Sequence, residues 1–287
     1  MSHLQQQLEA NQFVITAEVA PPKGCNPNDA LATASSFELV TAVNVTDNQG
    51  ANMRMTPLIL AALMHQQGIE PILQLTCRDR NRLALQSDLL GAAAIGIENL
   101  LLLSGDHARF GDHPEARSVF DLDSVQLLQA VTGLEQGHDL AGKKLSAAPA
   151  FFPGAAVSPA SEPFELMMQK CIKKAAAGAR FFQTQAVFDE GHLERFMNAA
   201  QAEFDTPVIA GILLLKSSRM AHFLNDNIPG VMVPQELITR LENSEDPLAE
   251  GLCIAREMVV SARNHCQGVH LMTLGREDLI PEILAVS

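Results

Sequence analysis

The chain contains no Trp and no Tyr, and only 20 Lys and Arg against 33 Asp and Glu in 287 residues. With a formal charge of -13, nothing in the composition supplies the cationic field that draws a protein onto phosphate backbones or anionic lipid. Base stacking would fall to Phe and His alone, which further argues against nucleic acid as a partner. Five cysteines form no CxxC pair, so neither a disulfide framework nor a cysteine metal knuckle is indicated, and reduced thiols are predicted. Long apolar runs are also missing. Leu100–Leu103 is the most apolar stretch, bounded by Glu98 and Asn99 before it and Asp106 after it, far short of a membrane span. The N-terminal segment lacks a basic region followed by an apolar one, so no secretory signal is read there. These absences predict a soluble cytoplasmic protein.

Hydrophobic residues make up 47% of the chain, and they are patterned. Short runs rich in Val, Ile, Leu and Phe alternate with longer amphipathic stretches. Eight strands are predicted, over 13–19, 40–46, 71–76, 99–104, 144–151, 179–185, 207–213 and 268–273. Helical patterns lie between them, over 28–37, 57–67, 79–94, 123–136, 163–177, 190–204, 217–225 with 234–241, and 247–265, and a last helix is expected after Arg276. Strands that read as continuous apolar runs, each followed by a helix, indicate an α/β fold with a parallel sheet, most simply one (β/α)8 TIM barrel spanning residues 1–287 as a single domain. An open doubly wound sheet is the competing topology. The first strand leads into AEVAPPKG rather than the GxGxxG turn that a dinucleotide fold places there.

In such a barrel the active face lies at the strand C-termini, so polar residues there are the candidates. They form a ring of Glu18, Thr46 with Asp47, Cys77, Asp106 with His107, Phe151 and Phe152, Gln183 with Gln185, Lys216, and Thr273 with Arg276. Glu18 sits among apolar residues that would desolvate its carboxyl and suit it to general-acid work, although a salt-bridged carboxylate at a barrel mouth is an equal reading. Asp106 ends the run NLLLLSG and carries a charge to the strand end. Alternation places Gln183 and Gln185 on one strand face, where two amides suit the edge of a heterocycle or a buried hydrogen-bond pair. The segment SGDHARFGDHP repeats Gly-Asp-His, but Gly-Asp is ordinary turn chemistry and no further strand-end ligand joins it, so no metal is assigned.

AEVAPPKG, NVTDNQGAN, QLTCRDRNR, LLLLSGDHARFGDHPEARSVFDLDSVQLL, KKAAAGARFFQTQAVFD, GIL and GVHLMTLGRED occur in this order along the chain. As an ordered set they resemble the methylenetetrahydrofolate reductase family over nearly the full length, and most of all its branch from anaerobic and one-carbon-metabolising microbes. The resemblance implies a (β/α)8 barrel that holds a flavin at its strand ends. It also implies hydride transfer from NAD(P)H to the methylene bridge of 5,10-methylenetetrahydrofolate, or the reverse oxidation in a methyl-transfer pathway. By motif position, Glu18 would be the general acid and Asp106 would sit by flavin and pterin. Gln185, with Gln183 and Arg276, would hold the substrate, and Thr46, Gln74, Ser104, Gly105, Phe152 and Lys174 would contact the cofactor. The better-studied branch has His, Arg, Tyr and His where this chain has Gln74, Ser104, Phe152 and Ala156. Those departures leave FMN and a flavin-free relative open, while the retained Asp106, Thr46 and Lys174 make FAD the first expectation; a silent folate-binding subunit is a third reading. A folate or related pterin, a homo-oligomer, and an electron-transfer or methyltransferase subunit are the implied partners.

Overall fold

A computed structural model describes residues 1–228 and 230–285 of the chain; the last two residues of the expected domain lie outside them. Its strands are β1 (Val14–Val19), β2 (Ala42–Val45), β3 (Pro71–Thr76), β4 (Asn99–Leu103), β5 (Phe152–Val157), β6 (Phe181–Ala186), β7 (Val208–Leu213) and β8 (Gly268–Met272). They form a closed barrel in sequence order. The pairs β2–β3, β3–β4, β4–β5, β6–β7 and β7–β8 are parallel. The (β/α)8 barrel read from the hydrophobic period is therefore the fold.

The helices are α1 (His3–Glu9), α2 (Asn28–Ser35), α3 (Pro57–Gln66), α4 (Arg82–Ala94), α5 (Ser124–Glu135), α6 (Phe164–Ala176), α7 (Glu190–Gln201), α8 (Ser218–Asn227), α9 (Gln235–Asn243), α10 (Pro247–His265) and α11 (Ile280–Leu284). Their starts follow from capping side chains that accept otherwise orphaned N–H groups. Asp123 and Gln126 form a reciprocal capping box at α5, and Asp189, Ser217 and Asp246 cap α7, α8 and α10. At α4, Asn81 accepts from Leu83 and Ala84, so the helix begins three residues later than its periodicity suggests. That delay leaves Arg78, Asp79 and Arg80 on the strand-end loop, where they matter below. The sequence pattern contained no signal for α1, whose His3 and Leu4 N–H groups donate to the Glu70 carboxylate at 2.8 and 2.7 Å.

The fifth strand departs from expectation. The segment 144–151 contributes only an isolated bridge between Lys144 and His138, and β5 runs instead from Phe152 to Val157 through Pro153 and Gly154. Pro and Gly read as turn residues, yet tertiary packing needs this glycine. A Cβ on Gly154 would lie 2.2 Å from the Phe181 ring, which stacks on Phe152 with centroids 5.3 Å apart. Phe151 and Phe152 consequently stand at the start of the strand in the core, and not at the C-terminal end where the sequence pattern put them.

Backbone contacts sort the chain into two compact units. The first comprises Met1–Gln6, Ala17–Ala155 and Lys173–Phe181; the second comprises Gln7–Thr16, Ala156–Ile172 and everything from Phe182 onward. In the first, β3 and β4 pair in register from Ile72↔Asn99 to Thr76↔Leu103, and Leu73, Leu75, Leu100 and Leu102 are fully buried. In the second, Phe188, Leu215, Val233, Ile238, Leu241 and Ile254 belong to one apolar cluster. Among the described residues no helix is long and apolar enough to cross a membrane.

Candidate active site

Glu18 lies near the end of β1, half-buried, and its carboxylate accepts from Gln49 Nε2 at 3.2 Å. Its sequence neighbours Ala17 and Val19 are buried, but the strand pleat directs them away from the Glu18 side chain. An amide on the β2 loop, rather than the flanking apolar residues, therefore meets this carboxyl. Thr46 follows β2, and its N–H reaches the Val19 carbonyl at 3.4 Å, which ties the two strand ends together. The Thr46 side chain is 2% exposed, and its hydroxyl is buried with no hydrogen-bond partner. An unsatisfied buried hydroxyl costs about 1–3 kcal/mol, so this atom is set for a partner the polypeptide does not supply.

The adjoining strand ends are locked by a buried ionic network. Asp47 accepts from the Thr76 N–H and hydroxyl, both at 2.8 Å, and from Arg80 at 2.7 and 3.2 Å. Arg80 also pairs with Asp88 at 2.9 Å. Burial opposes charge on the Arg80 guanidinium, but Asp47 and Asp88 outweigh it and hold its pKa above the ordinary value. Arg78 forms a two-point pair with Asp79 at 2.8 and 2.7 Å. Burial likewise works against ionisation of Asp79, yet hydrogen bonds from Arg78 and Asn48 prevail and keep its pKa below the usual carboxylate value. Gln74, within β3, donates to Asn44 Oδ1 at 3.1 Å and is committed to that contact.

β4 ends in Ser104, Gly105 and Asp106. Gly105 has φ +86°, and a Cβ there would lie 3.1 Å from the side chains of both Thr76 and Arg78, so only glycine fits without displacement. Ser104 and Asp106 are exposed. Beyond them, Phe120 holds φ +42°, which is strained for a bulky side chain, and remains 41% exposed. Two main-chain bonds hold the strained segment to the end of β3, Val119 N–H to the Arg78 carbonyl at 2.7 Å and Phe120 N–H to the Cys77 carbonyl at 3.1 Å. The rings of His107 and Phe120 lie 6.4 Å apart. In the repeated Gly-Asp-His segment, Asp112 is bound by the Lys23 ammonium, the Met53 N–H and His113 Nδ1. Among the described residues no group of three or more His, Cys, Asp or Glu is placed to hold a metal ion. Lys174 occupies the last turn of α6, half-buried.

Gln183, Gln185 and Arg276 belong to the second unit. The pairing of β6 with β7 advances three residues on one strand, Gln183 to Ala186, against two on the other, Ile209 to Gly211. This bulge lies between the two glutamines, leaving Gln183 buried and Gln185 exposed. Thr184 stabilises it: its hydroxyl accepts from the Gly211 N–H at 2.8 Å and donates to the Gln185 carbonyl at 2.7 Å. The two amides thus occupy different environments, where regular alternation predicts a matched pair. Arg276 is engaged with Asp278 at 3.0 and 2.8 Å, and Lys216 with the Leu274 carbonyl at 2.7 Å.

The family model of methylenetetrahydrofolate reductase matches residues 3–287. The chain belongs to that family. It is 24% identical over 233 residues to a probable NADPH-type methylenetetrahydrofolate reductase of Caenorhabditis elegans, covering 79% of this chain and 33% of that protein. It is 27% identical over 238 residues to methylenetetrahydrofolate reductase (NADH) 1 of Arabidopsis thaliana, covering 78% and 39%. The chain thus spans between a third and two fifths of the length of these relatives. A Clostridium thermocellum protein that binds two copies of 5-methyl-5,6,7,8-tetrahydrofolic acid shares the fold, with a TM-score of 0.63, 16% identity, and coverage of 98% and 96%. The barrel also superimposes on a 2,3-dimethylmalate lyase, with a TM-score of 0.54 at 10% identity over 93% of this chain and 79% of that one.

Against this family background, the pattern of strand-end polar residues overlooked Arg78, Arg80 and Phe120. A signal was present for the arginines, since QLTCRDRNR sets three of them within five residues directly after an apolar strand. Phe120 gave none, because its positive φ comes from the loop that carries it and not from a turn residue at its position.

Proposed function

We propose that this member of the methylenetetrahydrofolate reductase family reduces 5,10-methylenetetrahydrofolate to 5-methyltetrahydrofolate with a hydride derived from NAD(P)H, or runs the same reaction in reverse. The observation that carries the reading is the joined ends of β1 and β2. There a half-buried carboxyl, Glu18, stands one residue from the carbonyl that receives the Thr46 N–H, and the Thr46 hydroxyl is left unsatisfied. Glu18 gives a proton to the leaving nitrogen as the five-membered ring opens, which makes the one-carbon unit electrophilic. The hydride then completes the methyl group, and in the reverse direction the same carboxylate takes the proton back.

A flavin fits the first unit through Thr46, whose buried hydroxyl awaits a partner, and through the loop Ser104–Gly105–Asp106. When bound, such a group supplies a two-electron carrier between nicotinamide and folate. Phe120 offers an exposed aromatic surface beside the end of β3 in a chain without Trp or Tyr, and Asp106 sets a carboxylate by the heterocycles. Phe152 is packed at the start of β5 and takes no part in this reading, while Gln185, exposed at the β6 bulge, is available to a pterin edge.

The test combines a spectrum with a variant. Purified protein is expected to show flavin absorption, and release of the chromophore identifies FAD or FMN. Glu18→Gln should lower folate reduction by about 10²–10⁴-fold and leave flavin reduction by NAD(P)H nearly unchanged. Equal loss in both half-reactions removes the acid role from Glu18, and full turnover by a colourless protein without added flavin removes the flavin.

A further inference from the structure

We infer that Arg78 is a positioning residue that sets the Asp106 loop and the Asn48 loop at one fixed distance, so that the groups they carry meet their ligands together. This rests on the function proposed above for Thr46 and Asp106. Arg78 is only 2% exposed, among the largest fully buried side chains. Its Nη1 donates to the Asp106 carbonyl at 3.2 Å and its Nη2 to the Asn48 carbonyl at 3.2 Å. Nε and Nη2 hold Asp79 at 2.8 and 2.7 Å. A single planar fork therefore spans the loops after β2, β3 and β4. Its Cβ forms part of the wall that requires glycine at 105, and its own carbonyl anchors the strained segment at Val119.

The chemistry of the side chain makes this more than a buried ion pair. Neutralising Asp79 needs only a positive charge, which a lysine would also provide. Bridging two carbonyls on separate loops while holding a carboxylate needs donors in several fixed directions, which guanidinium has and ammonium lacks. Its hydrogen bonds to the two loops go to main-chain carbonyls, so Arg78 constrains the backbone path of each loop and does not spend the Asp106 carboxylate to do so. Loops held this way keep their reactive groups within a fraction of an ångström, and a displacement near 1 Å costs about 100-fold in rate.

Two measurements on the full chain test the inference. In Arg78→Lys, amide hydrogen exchange should accelerate by about tenfold or more at residues 48–51, 105–108 and 119–120, with protection in β3, β4 and β7 unchanged. Asp79→Asn, which keeps the fork but removes its ionic anchor, should show the same pattern more weakly. Exchange that is unchanged, or that rises evenly over the chain in both variants, overturns the inference. This readout requires no activity, so it stands even if the chain proves not to act on a folate.

The second measurement is a cycle with Asp106→Asn. Arg78→Lys should lower kcat by about 10- to 100-fold with KM for the folate moving much less, and should add little further loss in the Asp106→Asn background. Losses that multiply show that Arg78 does not act through the Asp106 loop. An Asp106→Asn variant of undiminished activity would count against the proposed role of Asp106, and then only the exchange pattern decides for or against Arg78.

Discussion

A single hydroxyl separates two demands on this chain. The Thr46 side chain is unsatisfied in its buried position, and its isostere valine removes that cost. Thr46→Val should therefore raise the melting temperature of flavin-free protein by a few degrees, following a gain of about 1–3 kcal/mol. On the flavin contact proposed for Thr46, flavin retained through purification should fall at the same time. A variant that is less stable and equally yellow would show that the hydroxyl works for the fold. Residue-level electrostatics give a second outcome. The bidentate Arg82 contact holds the half-buried Asp121 carboxyl down at about 2, below its unfolded value near 4. A depressed carboxyl stabilises the fold above the unfolded pKa, and the contribution disappears as pH falls through the folded one. Acid unfolding between about pH 4 and pH 2 should be shallower in Asp121→Asn than in the parent, as followed by circular dichroism.

At the scale of elements, glycines at two strands decide geometry that periodicity does not record. Gly154 makes room for the end of the Phe181 ring, and Gly211 lies where a Cβ would meet the Thr184 carbonyl oxygen at 2.5 Å. Gly154→Ala pushes an aromatic ring out of a packed layer and should cost about 1–3 kcal/mol, measured by denaturant unfolding. Gly211→Ala presses on main-chain atoms of the bulge instead. On the substrate role proposed for Gln185, it should shift that amide and weaken folate binding as well as stability, whereas Gly154→Ala should leave binding near the parent value. The fifth strand departs from its sequence pattern for the same reason. FPGAAV has the composition of a turn, and it is a strand through its parallel pairing with β4 and the Phe152–Phe181 stack.

Over the whole molecule, the cysteines report how completely the chain is packed. Cys77, Cys171 and Cys266 are buried, and Cys25 and Cys253 are exposed. Burial pushes the thiols of Cys77 and Cys266 up to about 12, so both remain protonated and unreactive at neutral pH. A thiol-reactive dye at pH 8 should label two sites rapidly and the other three only on unfolding. Labelling of Cys77 in folded protein would contradict the tight closure of the β3 end around Arg78 and Gly105.

The sequence by itself determined the barrel, since alternating apolar runs and amphipathic stretches leave a parallel sheet covered by helices as the simplest way to bury both. It also determined the family through its ordered motifs, and it placed Glu18, Thr46 and Asp106 at or beside strand ends, because each directly follows or closes an apolar run. The tertiary structure alone decided the start of β5, the bulge that parts Gln183 from Gln185, and the fork of Arg78 across three loops. Each of these depends on groups that are distant in sequence: a ring on β6, a glycine on β7, and carbonyls about thirty residues to either side of Arg78. Local periodicity carries no information about such contacts, because their energy exists only once the strands have come together.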